Sequence, residues 1–232
     1  KAAAFSREAS KDRRIEETLV HTGQHFDENM SNVFFKELEI PNPKYSLNIN
    51  GGNHGQMTGK MLSALEDVLT KEEPDIVLVY GDTNSTLAGS IAAAKLNIPI
   101  AHVEAGLRSF NKKMPEEINR VLTDHVSDFL FCPTKESVKN LRNEGICNGI
   151  FHVGDVMYDA TIYAKKLLIK EEKNYQKTLR LRAGEFVLMT IHRQESSSTH
   201  EFSRIMQFAI DFAEEHNLNI IFPVHPRIRS LV

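Results

Sequence analysis

The sequence predicts an α/β protein with a doubly wound, mostly parallel sheet. Apolar runs of four to six residues alternate along the chain with longer amphipathic stretches. Continuously apolar runs are typical of strands covered on both faces, and repeated strand–helix units favour parallel strands joined by right-handed crossovers. A chain of 232 residues can hold one large domain or two smaller domains of this class.

Each predicted element follows from its local pattern. The apolar runs predict strands at residues 17–21, 75–80, 98–103, 128–132, 150–153, 186–191 and 219–223. Helical periodicity predicts helices at 29–38, 56–71, 86–96, 115–126, 135–144, 158–168 and 201–216. Residues 41–55 contain two prolines and three glycines and predict a long loop.

Two incomplete domains are expected. The first, at residues 1–168, is a Rossmann-like domain that lacks its first strand, because residues 1–5 resemble the middle of a helix. Charged residues dominate 169–184, which predicts a linker or helical connection. The second domain begins at 185 and is truncated, because residues 185–232 contain a single strand–helix–strand unit.

The composition excludes several partners. The net charge of −3 argues against nucleic acid, and no apolar run or leader predicts a membrane-bound protein. The two cysteines form no CxxC pair and fit a reduced, cytoplasmic setting. No metal-ligand spacing, GxGxxG, P-loop or GxSxG pattern occurs, so no metal or other cofactor is expected.

Acidic residues follow two of the predicted strands. Asp82 comes directly after Gly81 at the end of strand 75–80, and Glu104 closes strand 98–103. Ligands of open α/β sheets bind at such carboxyl ends, so both carboxylates are candidates for chemistry. Two structural alternatives remain open: Asp82 could cap the following helix, and Glu104 could pair with Arg108.

Further polar residues fall at the same kind of position. Glu116 and Arg120 are four residues apart at a helix start, so they share one face, although first-turn glutamates are also ordinary helix-dipole partners. The ends of three other strands carry side chains suited to proton transfer or phosphate binding, with an exposed loop as the alternative for the last pair. They are Gln24 and His25, His192 and Arg193, and His225 and Arg227.

Together these motifs resemble the non-hydrolysing UDP-N-acetylglucosamine 2-epimerase family. The matching segments run in the family's order from end to end of the chain. They are HTGQHFD at 21–27, YGDTNSTLAG at 80–89, HVEAGLR at 102–108, PEEINR at 115–120, VGD at 153–155, TIHR at 190–193 and PVHPR at 223–227.

The resemblance implies a GT-B-like fold of two Rossmann-like domains and epimerisation at C2 of a UDP-sugar. UDP is eliminated and added back, without metal or redox cofactor, in synthesis of cell-surface polysaccharide precursors by a homodimer. The residues matching catalytic positions are Asp82, Glu104, Glu116 and His192. Those matching substrate-binding positions are Lys1, Gln24, His25, Arg108, Arg120, Arg193, His225 and Arg227.

The identity of the sugar is left open by residues 109–114. This segment is shorter than in typical UDP-N-acetylglucosamine epimerases and looks more like relatives acting on UDP-2,3-diacetamido-glucuronic acid. Lys112 and Lys113 could face the uronate carboxylate or simply lie on a surface loop. Rival functions are a hydrolysing epimerase, a GT-B glycosyltransferase and an inactive UDP-sugar-binding regulator.

Overall fold

The structure, a computed structural model, describes residues 1–24, 40–179, 182, 184–191 and 199–231. In chain order its elements are α1 (Ala2–Ala9), β1 (Val20–His21), β2 (Tyr45–Ser46), α2 (His54–Glu72), β3 (Val77–Tyr80), α3 (Asn84–Lys95), β4 (Ile100–Val103), α4 (Pro115–Val126), β5 (Phe129–Cys132), α5 (Lys135–Asn143), β6 (Ile150–His152), α6 (Val156–Leu179), β7 (Phe186–Leu188), α7 (Thr199–Glu215), β8 (Asn219–Ile221) and a 3-10 helix (Pro226–Leu231).

The chain divides into two compact units, Lys1–Ala164 and Lys165–Val232. The first unit is built on a parallel sheet of strand order β3-β4-β5-β6. Val77 pairs with Ile100, Ala101 with Phe129, and Leu130 with Ile150. Helices α3, α4 and α5 connect these strands in turn, which confirms the predicted α/β class with parallel strands.

The core of this sheet depends on small residues in α3. Met61 and Leu65 of α2 pack with Ala88, Ala92 and other buried residues of α3, β3 and β4. Alanines let two helices and the sheet approach closely while still removing apolar area from water. The carboxyl ends of β3 and β4 are therefore held on a rigid support.

Local capping fixes where the connecting helices begin. At α2 the Asn53 side chain accepts a hydrogen bond from the Gln56 N–H and the Gln56 side chain bonds back, and Pro115 occupies the first position of α4. At α3 the cap is Thr83, which accepts from the Thr86 N–H. The alternative that Asp82 caps this helix is therefore wrong.

The predicted loop at 41–55 contains a strand. Tyr45–Ser46 pairs in parallel with β1, with Val20 opposite Tyr45 and His21 opposite Ser46. A strand of two residues is too short to produce a readable periodicity, so sequence patterns miss it. This small sheet is separate from the sheet that begins at β3, among the residues that the structure describes.

A groove of about 400 Å³ lies between the two sheets of the first unit. One wall comes from residues 15–20 at β1, the other from residues 74–78 and Tyr80 at β3, and Phe5 and Leu65 also contribute. Its lining is largely apolar, and none of the predicted catalytic carboxylates reaches it. The groove is thus distinct from the candidate active site.

The second unit begins within α6 and contains one parallel pair of strands. Val187 of β7 lies opposite Ile220 of β8, and Ile191, Phe202 and Ile228 form a buried cluster. The helix predicted at 158–168 extends to Leu179, because lysine, glutamate and leucine sustain a helix without an apolar stripe. The helix predicted at 29–38 lies outside the described residues. Of the helices described, none has the length and apolar character needed to cross a bilayer.

Candidate active site

Asp82 lies in the turn between β3 and α3, where it meets α4. Its Oδ2 is 2.5 Å from Arg120 Nη2, and its backbone carbonyl accepts from Asn119 Nδ2 at 2.9 Å. The Asp82 side chain is 32% exposed whereas Arg120 is only 13% exposed. One turn of α4 therefore fixes both the backbone and the carboxylate of Asp82, and the carboxylate keeps an open side.

Glu104 lies at the corresponding end of the neighbouring strand, β4. Its φ is +72°, a conformation that a residue other than glycine rarely adopts and that is common where a side chain is held for function. Its Oε2 is 2.5 Å from Lys1 Nζ, and its side chain is 13% exposed. The alternative pairing of Glu104 with Arg108 is therefore wrong, because the described partner of Glu104 is Lys1.

Gly81 makes this arrangement possible. Its φ is +66°, and a Cβ atom there would lie 2.5 Å from Lys1 Nζ and 3.3 Å from Glu104 Oε2. Any larger residue would push into the ion pair that holds Glu104. Gly81 directly precedes Asp82, and it contacts the ion pair of Glu104. The two predicted carboxylates therefore lie at adjacent strand ends on one edge of the sheet.

Arg120 is shared between two carboxylates. Besides Asp82, it donates from Nη1 to Glu117 Oε2 at 3.0 Å. Among the described residues, Arg120 Nε is the buried side-chain polar atom without a hydrogen-bond partner. A buried N–H that lacks an acceptor is uncommon in folded proteins, so this donor sets Arg120 apart from the other buried polar side chains that the structure describes.

Glu117 anchors the loop that leads into α4. It accepts hydrogen bonds from the Ser109 N–H, the Ser109 hydroxyl and the Phe110 N–H, at 2.8–3.0 Å. Burial of Glu117 opposes ionisation, but these donors and the Arg120 guanidinium outweigh it and lower the pKa of Glu117 below its ordinary value. A glutamate that the sequence presents as an ordinary first-turn residue therefore has a structural role.

Glu116 differs from its neighbour. It is exposed on α4 and makes no hydrogen bond or ion pair within the described part of the chain. Arg120, one turn later, pairs with Asp82 and Glu117 instead. The predicted shared face of Glu116 and Arg120 thus holds a free carboxylate beside an occupied guanidinium.

A buried polar network supports the same sheet edge from below. His102 contacts Asp124 Oδ1 through Nδ1 and the Gly81 carbonyl through Nε2, each at 2.7 Å. Asp124 Oδ2 accepts from Arg108 Nη1 at 2.7 Å and from the Gly106 N–H at 3.1 Å. The network joins β4, α4 and the loop after Glu104. Sequence patterns did not single out His102 or Asp124, because residues 22 positions apart give no local signal.

Arg108 continues this network away from the predicted substrate. Its side chain is 1% exposed, and it forms a two-pronged pair with Glu144 at 2.6 and 2.7 Å. These hydrogen bonds lower the pKa of Glu144, and although burial opposes it, the two carboxylates raise the pKa of Arg108. A direct substrate contact by Arg108 would have to reach this buried side chain, and that contact stays a prediction.

The other predicted binding residues are distributed as follows. Gln24 Oε1 accepts from the N–H and hydroxyl of Ser85, at 3.1 and 3.0 Å, so it meets the start of α3 next to Asp82. His225 and Arg227 both belong to the second unit; His225 directly precedes the 3-10 helix, and Arg227 lies within that helix. The remaining candidates, His25, His192 and Arg193, lie outside the described residues.

Comparison with known proteins decides the family. The family described as UDP-N-acetylglucosamine 2-epimerase matches residues 7–232. The chain belongs to the UDP-N-acetylglucosamine 2-epimerase family. It is 55% identical over 218 residues to a UDP-N-acetylglucosamine 2-epimerase homolog of Methanococcus maripaludis, covering 94% of this chain and 60% of that protein.

Two further relatives bear on the fold and the substrate. A UDP-2,3-diacetamido-2,3-dideoxy-D-glucuronate 2-epimerase of Pseudomonas aeruginosa is 48% identical over an alignment of 235 residues, which covers all of this chain and 65% of that protein. The crystal structure of the Methanocaldococcus jannaschii UDP-GlcNAc 2-epimerase in complex with UDP-GlcNAc and UDP matches with a TM-score of 0.89 at 46% identity. That match covers 100% of this chain and 64% of the crystallised one.

This member of the UDP-N-acetylglucosamine 2-epimerase family has the predicted GT-B-like class, which the match over the whole chain confirms. The predicted membership is also confirmed. The chain spans about 60% of the length of curated relatives that it matches. Within the part that the structure describes, no three His, Cys, Asp or Glu side chains converge as a metal site would require.

Proposed function

We propose that the complete protein containing this chain is a UDP-sugar 2-epimerase. The chain covers between 58% and 65% of its first relatives, so the activity is that of the longer protein. The domain arrangement belongs to the same proposal. An N-terminal Rossmann-like domain spans residues 1–168, residues 169–184 form a connecting segment, and a nucleotide-binding domain begins at residue 185.

The observation that carries this proposal is the pair of carboxylates at one sheet edge. Asp82 and Glu104 end adjacent parallel strands, and each is held by a cation, Arg120 or Lys1. Anchored carboxylates at the carboxyl ends of a parallel sheet can act on a bound sugar ring from fixed positions. The unpartnered Nε of Arg120 supports a role for that residue in binding an acceptor oxygen of the substrate.

The chemistry requires two steps. A carboxylate removes the C2 proton of the sugar as the C1–O bond breaks, so that UDP leaves with the bonding electrons and a C1–C2 double bond forms. C2 then receives a proton on its opposite face while a UDP oxygen returns to C1. One carboxylate serves as base and another as acid, and the cations offset the charge on departing UDP.

Roles for the other predicted residues complete the proposal. Glu116 supplies a third carboxylate, and His192 assists near the diphosphate. Lys1, Gln24, His25, Arg108, Arg120, Arg193, His225 and Arg227 hold the substrate. The described contacts support this most directly for Lys1, Gln24 and Arg120, which touch Glu104, the start of α3 and Asp82.

A uronate-bearing sugar is the second proposed substrate, beside UDP-N-acetylglucosamine. Lys112 and Lys113 are exposed in the loop before α4, and they follow closely on Phe110, whose N–H donates to Glu117. Two exposed lysines there suit a carboxylate on the sugar. Relatives named for UDP-N-acetylglucosamine and for the diacetamido uronate are both close, at 50% and 48% identity.

The deciding experiment is proton exchange at C2 in deuterated water, followed by NMR with both sugars and the complete protein. The epimerase places deuterium at C2 and keeps the sugar on UDP. Release of free sugar indicates a hydrolysing epimerase, and transfer without exchange indicates a glycosyltransferase. Tight UDP binding without exchange indicates an inactive regulator. Absence of turnover with the uronate sugar rejects this second substrate.

The setting proposed for this enzyme is the cytoplasm, where UDP-sugars for cell-surface polysaccharides are made, and the assembly proposed is a homodimer. The basis is the resemblance together with the reduced cysteines, of which Cys132 is buried and Cys147 exposed. Light scattering on the complete protein decides the assembly, and a monomeric mass at assay concentrations rejects the dimer.

A further inference from the structure

His102 is a buried ionisable residue that the proposed reaction does not use. It is fully buried in β4, directly beneath the turn that carries Asp82. Its two ring nitrogens contact two different elements, the Asp124 carboxylate of α4 and the carbonyl of Gly81. A side chain that only filled space in this core would need neither contact.

The two contacts fix which nitrogens carry protons. A backbone carbonyl accepts but cannot donate, so His102 Nε2 must carry the proton of the bond to Gly81. Asp124 is held as a carboxylate, because its other oxygen accepts from the Arg108 guanidinium and the Gly106 N–H. His102 Nδ1 must then donate as well, since two lone pairs at 2.7 Å would repel. The ring is therefore an imidazolium.

The charges around this imidazolium balance. His102 and Arg108 supply two positive charges, and Asp124 and Glu144 supply two negative charges. A buried ion pair is tolerated only when its charges are matched and hydrogen-bonded, as they are here. His125 also approaches Glu144, at 3.3 Å, from the exposed end of the network.

We propose that His102 is a positioning residue: its imidazolium ties the Gly81–Asp82 turn to Asp124 and so holds the Asp82 carboxylate at the sheet edge. Gly81 is also bonded through its N–H to the carbonyl of Val103, so both peptide groups that flank Gly81 are held by hydrogen bonds. The inference rests on the proposed function, because it concerns how the Asp82 carboxylate is oriented.

Two substitutions test whether His102 positions the Gly81–Asp82 turn or only occupies space in the core. In His102→Gln the amide nitrogen can take the place of Nε2 and still donate to Gly81, whereas in His102→Asn the shorter side chain reaches Asp124 and not the turn. We expect His102→Asn to lower kcat for C2 exchange about 100-fold, with KM little changed, because small displacements of a reacting group cost that much. His102→Gln should recover a large part of this loss.

Thr123→Val is the matched control. Thr123 is fully buried beside Asp124 on α4, and its hydroxyl lies 3.4 Å from Ser90 Oγ, away from the turn. We expect kcat for C2 exchange in Thr123→Val to equal the wild-type value, when each rate is calculated per molecule of protein that binds UDP. Equal loss in His102→Asn and His102→Gln, or no loss in His102→Asn, overturns the positioning role.

A spectroscopic measurement keeps the inference independent of activity. In the complete protein with 15N-labelled histidine, both ring nitrogens of His102 should be protonated, with two slowly exchanging N–H protons. A bare ring nitrogen overturns the inference. If the wild-type protein exchanges no C2 proton, the proposed function fails. The spectrum then still tests whether both ring nitrogens of His102 donate to Asp124 and Gly81.

Discussion

At the scale of single residues, the site depends on carboxylates that are held without being enclosed. Glu104 combines a left-handed backbone with an ion pair to Lys1, and its side chain remains 13% exposed. A glutamate in this conformation costs about 1–3 kcal/mol, which the surrounding contacts must offset. Strain of this kind at a strand end indicates that the position of the carboxylate matters more than local stability.

Glu104→Gln tests this directly. The amide keeps the shape and an acceptor for Lys1 but cannot take up a proton as a carboxylate does. We expect C2 exchange to fall by about 100-fold to 10,000-fold, while UDP binding measured by calorimetry stays close to wild type. Normal exchange in this variant would remove Glu104 from the mechanism.

The matched control for that variant is Glu73→Gln. Glu73 also has a left-handed backbone, with φ +46°, but it caps the end of α2, before β3 begins, and is exposed. Because the substitution and the backbone conformation are the same, any general cost of a glutamine at such a position appears in both variants. Exchange should be unchanged in Glu73→Gln.

At the scale of elements, α4 organises the site. Its inward side chains reach the two neighbouring strand ends: Asn119 and Arg120 hold Asp82, and Asp124 holds His102. Glu117 fixes the loop before the helix, while Ile118 and Leu122 on the opposite face are exposed. One helix therefore fixes the positions of the β3–α3 turn, of the loop after β4 and of the loop that leads into the helix itself.

Glu117 makes the stability of the folded protein depend on pH. Its pKa is lower in the folded protein than in the unfolded chain, so its stabilising contribution is complete above the ordinary glutamate pKa of about 4.3 and is lost as pH falls through the folded value. We expect Glu117→Gln to cost about 1–3 kcal/mol at neutral pH, and the difference from wild type to shrink below about pH 4.

Thermal melting of the complete protein across this pH range measures the effect. Glu116→Gln is the control, since Glu116 is adjacent and exposed and has no partner among the described residues. Its melting curve should follow wild type at every pH. Wild-type and Glu117→Gln curves that run parallel down to acid pH would contradict the assigned role.

The elements themselves show what a sequence can and cannot predict. The strands of the main sheet and α4 were predicted close to their observed bounds, because continuous apolar runs and a proline at the first helical turn are local signals. Asp82 and Glu104 were found for the same reason, as polar residues closing such runs. The pairings of these two carboxylates were not, because Arg120 with Asp82 and Lys1 with Glu104 are long-range pairs.

At the scale of the whole first unit, a groove of about 400 Å³ lies between the two sheets. It separates β1 from β3, and both strands run parallel to their own partners, β2 and β4. Lys1 lies at the carboxyl edge beside Glu104, and α1 begins directly after it. A parallel strand entering before Lys1 would emerge at this edge, and α1 would then carry the chain back toward β1.

The hydrogen-bond alternation of β3 shows that its groove edge can accept such a strand. In a parallel ladder alternate residues bond to opposite neighbours. Val77 and Gly81 donate to the β4 side, to the carbonyls of Pro99 and Val103, so the N–H groups of Leu78 and Tyr80 point to the groove. On β1 the carbonyl of His21 is used by Leu47 of the β2 side, so Val20 faces the groove.

Hydrogen exchange on two forms of the protein tests the predicted first strand. In the 232-residue chain the Leu78 and Val20 amides should exchange readily, whereas in a form extended before Lys1 by its natural residues both should be protected. The amides of Val77 and Gly81, bonded to the β4 side, should be protected in both forms and serve as the internal control. If extension leaves Leu78 and Val20 unprotected, the groove has another occupant and the predicted first strand lies elsewhere, because one parallel strand between β1 and β3 must bond to both edges.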